Sequence, residues 1–324
     1  MAFEQELNKI ALTNHELDPW VQGSSGSGSV RPSAGRFFFA CGVGGCYRGG
    51  DERSAMAEGQ HRLTPPQAFE MTERKPAAAL AGLVSKITGY RETEPGHFRQ
   101  VEAASLDIPL IVSFGDPFAI GLGRAPGSND RYGSFAAGLF AGPVTIDSFG
   151  ASNCVQINFT PPGARRFFGM PMDELTDRMV PLDEVLGAEA TSFREKLGNA
   201  PDWERRFDIA EAFVLRKLGE ADVPSPEVTW AYARIAATGG RAKVASIARE
   251  IGWSRKHLAR CFADEIGLGP KSVSRIVRLN RAIAAARAGD GWAGIAVDCG
   301  YADQAHLVRE FRALAGASPT AWGG

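Results

Sequence analysis

The stretch IAREIGWSRKHLARCF, from Ile247 to Phe262, is written a second time as IAVDCGYADQAHLVREF, from Ile295 to Phe311. Ile247, Ala248 and Gly252 match Ile295, Ala296 and Gly300 at an offset of 48, and Trp253 matches Tyr301. One residue is then added in the turn. Leu258, Phe262, Gly267 and Pro270 match Leu307, Phe311, Gly316 and Pro319 at an offset of 49. An internal repeat of this period means that one supersecondary unit is used twice, which constrains this part of the chain more than any composition statistic.

The unit reads as two short helices meeting at a corner. Ile247, Ala248 and Ile251 are spaced for one helical face. Gly252 can adopt positive φ at no steric cost and so can end that helix. Ser254 is a suitable N-cap for the next helix, and Asp303 is its counterpart in the second copy. The second helix buries Leu258, Phe262 and Ile266 in one copy and Leu307, Phe311 and Leu314 in the other. Its outer face stays free. That face offers Arg255, Lys256, Ala259 and Arg260 in the first copy, and Gln304, Ala305, Val308 and Arg309 in the second. Arginine can bind guanine O6 and N7 with two hydrogen bonds, glutamine can do the same at adenine N6 and N7, and small apolar groups can meet a thymine methyl. Either face alone is equally well read as a solvated helix surface, but two matched copies favour DNA.

Charge points the same way. The formal net charge of −1 hides a division, because residues 227–324 hold fourteen Lys and Arg against eight Asp and Glu. A basic tail on an acidic body suits a polyanionic partner. Between the copies, KSVSRIVRLNRAIAAARAG carries an apolar helical stripe through Val273, Ile276, Val277, Leu279 and Ile283. About eighteen helical residues span roughly 27 Å, comparable with the roughly 34 Å between successive major-groove segments on one face of DNA. One chain can then present both reading helices without a partner. Arg275, Arg278, Arg281 and Arg287 on this helix are candidates for phosphate contacts, which position without specifying.

These residues resemble the double helix-turn-helix domain of AraC/XylS-type transcriptional regulators, over Val228–Trp322. The second copy, with GY, DQ, HL, REF and the closing SP, carries the more specific match. The resemblance implies a bacterial, cytoplasmic regulator that binds double-stranded promoter DNA and contacts RNA polymerase. Base-reading positions carried over from the family fall on Lys256, Ala259 and Arg260, and on Gln304, Ala305 and Arg309. Ala259 departs from the long polar residue usual there, so its base lacks a hydrogen-bonding reader.

The expected fold class is α+β. It pairs a β-rich N-terminal sensor domain, cupin-like or a small barrel with flanking helices, with an all-α domain of two helix-turn-helix units joined by a long helix. Residues 1–75 read as a flexible extension, because VQGSSGSGSVRPSAG cannot bury apolar surface. RFFFACGV suggests a strand with no visible partner. PAAALAGLVSKITGY suggests a short helix. Glu102–Phe159 alternates in short runs broken by Gly, Pro, Asn and Asp, as closely spaced antiparallel strands do. Residues 163–218 turn helical, with Trp203, Phe207, Ala210 and Val214 on one stripe. GEADVPSP at 219–226 is a linker, which leaves 76–218 as the sensor or dimerisation domain. GPVTIDSFGASNCVQINFTPPGARRFFGMPMDEL resembles the sensor half of a regulator subgroup.

Chemistry is scarce elsewhere. No Ser/His/Asp grouping, P-loop or metal cluster supports an enzyme. His97 stands alone between Met71 and Arg255, too few ligands for a cupin metal site. No metal or cofactor is expected, therefore. Arg165 and Arg166 suit either an acidic effector or an ordinary ion pair. Cys41, Cys46, Cys154, Cys261 and Cys299 read as small hydrophobes or idle thiols. The first twenty residues include Glu4, Glu6, Glu16 and Asp18, unlike a signal peptide, and no apolar run is long enough to span a bilayer. The leading function is a sequence-specific regulator whose N-terminal domain binds a small molecule or forms a homodimer. The alternative is a DNA-repair or other enzyme that uses the helix-turn-helix domain only for targeting, with Cys41 and Cys46 as its candidate nucleophiles.

Overall fold

The computed structural model describes residues 44–48, 68–219 and 224–322. Eleven strands are found among them: β1 (Gly44–Arg48), β2 (Phe69–Arg74), β3 (Val84–Glu92), β4 (Phe98–Glu102), β5 (Ile108–Ser113), β6 (Phe118–Leu122), β7 (Arg131–Tyr132), β8 (Phe135–Ala137), β9 (Val144–Ser148), β10 (Asn153–Phe159) and β11 (Met179–Pro181). They form two antiparallel sheets. One has the order β1-β4-β9-β6-β7 and the other β11-β8-β5-β10-β3-β2. The fold is α+β, with the β-rich part first and helices after it.

Strand β10 sets the architecture. Val155, Ile157 and Phe159 alternate toward the helices and are fully buried there, while Cys154, Gln156 and Asn158 point to the opposite sheet, as the two-residue period of a strand requires. Four helices cover the outer face: α1 (Pro161–Phe168), α2 (Leu182–Leu186), α3 (Glu189–Gly198) and α4 (Trp203–Gly219). Thr160 caps α1 by accepting a hydrogen bond from the Gly163 N–H at 3.2 Å, and prolines at the first two helical positions suit the start. Phe207, Ala210, Val214 and Leu218 form the buried stripe of α4.

Two expectations need correction. Residues 1–75, expected to be a flexible extension, contain β1 and β2. Strand β1 lies just beyond RFFFACGV and does have a partner, pairing with β4 from Gly44↔Glu102 to Arg48↔Phe98. Residues 36–43 lie outside the described residues. PAAALAGLVSKITGY, expected as a helix, is a single 3-10 turn at Ala78–Leu80 followed by β3. The alanines favour helix, but Gly82 takes φ +74° and β3 is paired on both sides, by β2 and β10. Tertiary pairing outweighs local propensity there.

The C-terminal part holds α5 (Pro226–Ala237), α6 (Val244–Glu250), α7 (Arg255–Ile266), α8 (Pro270–Arg287), α9 (Trp292–Asp298), α10 (Gln304–Ala315) and α11 (Pro319–Trp322). Its first half shares the main core. Val228, Trp230, Ile235, Ile247, Leu258, Phe262 and Val273 are buried in one cluster with Phe159, Phe167 and Phe207 of the β-rich part.

Candidate nucleic-acid interface

The two copies fold alike. Helix α6 buries Ile247 and Ala248, and α9 buries Ile295 and Ala296. Each helix ends on a left-handed glycine, Gly252 at φ +73° and Gly300 at φ +76°. The residue after each glycine closes the corner: Trp253 N–H donates to Ala248 O at 2.8 Å, and Tyr301 N–H to Ala296 O at 2.9 Å. These are the reach-back bonds of a helix C-terminal cap. The next helix then opens on a side-chain cap. Ser254 accepts from His257 N–H at 3.1 Å and Asp303 from His306 N–H at 2.6 Å. Leu258, Phe262 and Ile266 anchor α7, and Leu307, Phe311 and Leu314 anchor α10. Gly267 and Gly316 terminate them, again at positive φ.

Arg255, Lys256, Ala259 and Arg260 are exposed on α7, and Gln304, Ala305 and Arg309 are exposed on α10. Val308 is half-buried against the second copy's core and is less available. Among the described residues, none of Arg255, Lys256, Arg260 and Arg309 forms an ion pair with a carboxylate, and Arg260 Nη2 lies 3.3 Å from His257 Nδ1. Unpaired cations on a helix face attract phosphate.

The arginines of the connecting helix divide. Arg275 Nε donates to Glu310 at 2.9 Å, and Arg278 Nη2 donates to it at 3.1 Å. Burial works against the charge on Glu310, but the bonds and charges of Arg278 and Arg275 outweigh it and hold the carboxyl below its ordinary pKa. These two arginines tie α10 to α8 instead of standing free for phosphate. Arg281 and Arg287 are exposed. The position matching Glu310 in the first copy is Cys261, so that copy has no such brace. The half-buried Cys261, with buried Cys154 and Cys299, is a free thiol. Cys41 lies outside the described residues, and only the backbone of Cys46, in β1, is described.

The repeat also holds a residue pair that single-copy reading misses. His257 and His306 stand at the third position of α7 and α10. They pack edge-on against Trp253 and Tyr301, with ring centroids 4.4 and 5.4 Å apart. Carrying the offset of 49 through the alignment would have found them.

The C-terminal ends of α7 and α10 rest on the β-rich part. Thr176 Oγ1 donates to Gly267 O at 2.6 Å, and Ala104 N–H donates to Leu314 O at 2.8 Å. Arg165 approaches Asp264 of α7 at 3.8 Å, so that arginine is engaged with protein, while the Arg166 Nε is buried without a partner. His97 lies 3.4 Å from Asp147, which also binds Arg99. Among the described residues no group of three His, Cys, Asp or Glu could hold a metal.

Two matched corner-bent helix pairs on a basic segment, each with a free cationic face, define a DNA-binding transcriptional regulator of the helix-turn-helix class. Residues 247–323 match the family described as a helix-turn-helix domain, and this C-terminal segment is an AraC-type domain. Residues 72–181 match a domain of unknown function, DUF6597. No curated protein matches the chain. Among solved structures it is similar to ToxT from Vibrio cholerae, at 11% identity and TM-score 0.42, covering 79% of this chain and 98% of that one. It is similar to unsaturated fatty acid-bound ToxT from Vibrio cholerae, at 10% identity and TM-score 0.40, covering 77% and 96%. A third similarity is to the AraC-like transcriptional activator CuxR, at 14% identity and TM-score 0.25, covering 67% and 88%. No helix among the described residues is long and apolar enough to cross a membrane.

Proposed function

We propose that α7 and α10 enter successive major-groove segments on one face of promoter DNA. Arg255, Lys256, Ala259 and Arg260 read one segment, and Gln304, Ala305 and Arg309 read the next. The observation that carries this reading is that the exposed positions Arg255, Lys256 and Arg260 of α7 have exposed counterparts at the repeat offset in Gln304, Ala305 and Arg309 of α10, across an 18-residue connecting helix. Helix α8 is about 27 Å long at 1.5 Å per residue, near the spacing of groove segments on one face of the duplex.

Arg281, exposed on α8, adds a phosphate contact, whereas Arg275 and Arg278 act on the fold. The protein works by binding rather than by catalysis, in the cytoplasm. RNA polymerase is its downstream partner, and the N-terminal domain takes a small effector or a second copy of the chain. The division falls at 219–226, with DNA binding assigned to 227–324. The experiment is selection of bound sequences from random DNA by the purified full chain, followed by footprinting. Two protected segments about one helical turn apart are expected, with affinity falling steeply as salt rises because bound phosphates release counterions. A single protected segment, or binding indifferent to salt, overturns the reading.

A further inference from the structure

Helix α8 carries the second helix-turn-helix unit at its C-terminal end, and the joint itself is loosely built. Residues 288–291, between α8 and α9, are exposed throughout. Beyond the chain neighbours, no heavy atom lies within 4 Å of where a Cβ would stand at Gly289 or Gly291. Apolar packing holds α9 and α10 to α8, through Leu307 and Ala282 in one cluster and Phe311, Leu314, Ile276 and Leu279 in another. Such packing is strong but non-directional. Alone it does not fix how far α10 stands from α7, or how it is turned.

Direction comes from Arg278. Its guanidinium is a planar fork with donors at fixed angles, and its two arms reach different units. Nη1 donates to Gly240 O at 3.0 Å, in the loop that leads from α5 into the first unit. Nη2 donates to Glu310 of α10 at 3.1 Å. The cation also lies 5.7 Å from the centroid of the Tyr301 ring, at the second unit's corner. These contacts are shielded, with the Arg278 side chain 15% exposed and that of Glu310 12%. Arg275 Nε donates to the same carboxylate at 2.9 Å, and His306 Nε2 lies 3.6 Å from it. The loop before α6 is pressed onto both partners. A Cβ at Gly240 would overlap Ser274 O of α8, and one at Gly300 would stand 2.8 Å from Arg241 Cγ. The entry loop of the first unit therefore touches the corner of the second, and Arg278 bonds to both units. Cys261 stands where the first copy would carry Glu310, so the lock is not a by-product of the repeat.

We propose that Arg278 is a positioning residue for DNA recognition. By bonding Gly240 and Glu310 at once, it fixes the distance and rotation between α7 and α10, and so the single spacing of base segments that the protein accepts. This rests on α7 and α10 each entering a groove, and adds to that reading a residue that sets spacing without touching DNA. Inserting one base pair between the segments moves the second by about 3.4 Å and turns it by about 34° around the duplex axis. A locked pair of units does not follow that displacement. With the guanidinium gone, α9 and α10 keep their apolar packing but pivot about residues 288–291, and α10 follows the shifted groove. Lysine does not replace arginine here, because a single ammonium lacks the two arms.

The test uses the full chain and three DNA duplexes: the site selected by the wild type, and the same site with one base pair inserted or removed between the two protected segments. The wild type is expected to lose at least about tenfold in affinity on either altered duplex, as when one bidentate base contact is broken. Arg278→Ala is expected to bind the original site more weakly, but all three duplexes within about threefold of one another, because ordering a loosened unit costs less than a lost base contact. Its base preferences within each segment are expected to match the wild type, which distinguishes positioning from reading. Ile120→Val, in an apolar cluster of the β-rich part, lowers stability without touching the lock and is expected to keep the full spacing penalty. Thermal unfolding verifies that each variant folds. Arg278→Lys takes the place of the alanine variant should that one not fold, with the same relaxed spacing expected. A wild-type penalty retained in the folded Arg278 variant overturns the proposal. So does a wild type that accepts all three duplexes equally, or an Ile120→Val variant that relaxes the penalty as much. Two protected segments whose spacing is indifferent to Arg278 leave the groove reading standing, whereas a single protected segment overturns both.

Discussion

Arg260 and Arg309 occupy equivalent positions in the two copies, and both are exposed. Replacing either by alanine is expected to weaken specific DNA binding by about 1–3 kcal/mol and to relax one base position, the worth of one bidentate base contact. A selected-sequence profile unchanged by both substitutions would count against base reading by these faces. Glu310 is the opposite kind of residue, since it touches protein and holds α10 to α8. Glu310→Gln is expected to destabilise the fold by about 1–3 kcal/mol, less than a fully buried pair because Arg275 is partly exposed. The sign of its pH dependence follows from the depressed pKa. The carboxylate's stabilising share is fully present above the ordinary glutamate value of 4.5 and is lost as pH falls through the lower folded value. Urea melts of wild type and variant should therefore differ at neutral pH and converge in acid. The outward positions on α7 and α10 were legible because each helix's buried stripe fixes its opposite face. The role of Arg275 and Arg278 was not, because nothing in a single helix shows that Glu310 on another element lies opposite them.

At the scale of elements, the corners explain how twelve-residue helices come to be presented at fixed angles. Gly252 has open space where a Cβ would stand, so Gly252→Ala is expected to cost only the strain of positive φ, about 1–2 kcal/mol. At Gly300 the added methyl also meets Arg241 Cγ at 2.8 Å. That contact is with a flexible side chain, so a somewhat larger loss is expected there. Thermal unfolding of the two variants checks both values; equal stability to wild type in either would contradict a left-handed requirement at that corner. Such corners are readable from sequence because a local rule, glycine after an apolar stripe and a capping residue two or three places on, governs them. The segment 76–90 obeys no local rule of that kind. Its alanines favour helix, yet pairing with neighbouring β2 on one side and with β10, distant in sequence, on the other makes Val84–Glu92 a strand. Strand β1 escapes for the same reason: its partner β4 starts fifty residues later than β1 ends, at Phe98 against Arg48.

For the whole molecule, the proline- and glycine-bearing segment at 219–226 suggests two independent modules, but burial ties them together. Val228, Trp230 and Ile235 of α5, with Leu258 and Phe262 of α7, lie in one core with Phe167 and Phe207 of the β-rich part. Ala103 and Ala104 add a second contact with Ile276, Leu279, Phe311 and Leu314. Cutting between the parts would return these side chains to water at about 25 cal/mol per Å² of apolar surface, and would free the carbonyls of Gly267 and Leu314. The full chain is therefore expected to unfold in urea as one cooperative transition. A fragment of residues 227–324 is expected to unfold at lower urea, with a smaller slope because less surface is exposed on unfolding, and to bind a hydrophobic dye that the full chain does not. Two separated transitions in the full chain, or a fragment as stable as its parent, would mean that the shared core contributes little. Thr176→Val tests the coupling within the intact chain, because it deletes the donor to Gly267 O at the far end of α7. The lost hydrogen bond should lower stability by about 0.5–1.5 kcal/mol. Since α7 is then less firmly held, DNA affinity should change while the selected base sequence stays the same, which separates a loss of positioning from a loss of reading.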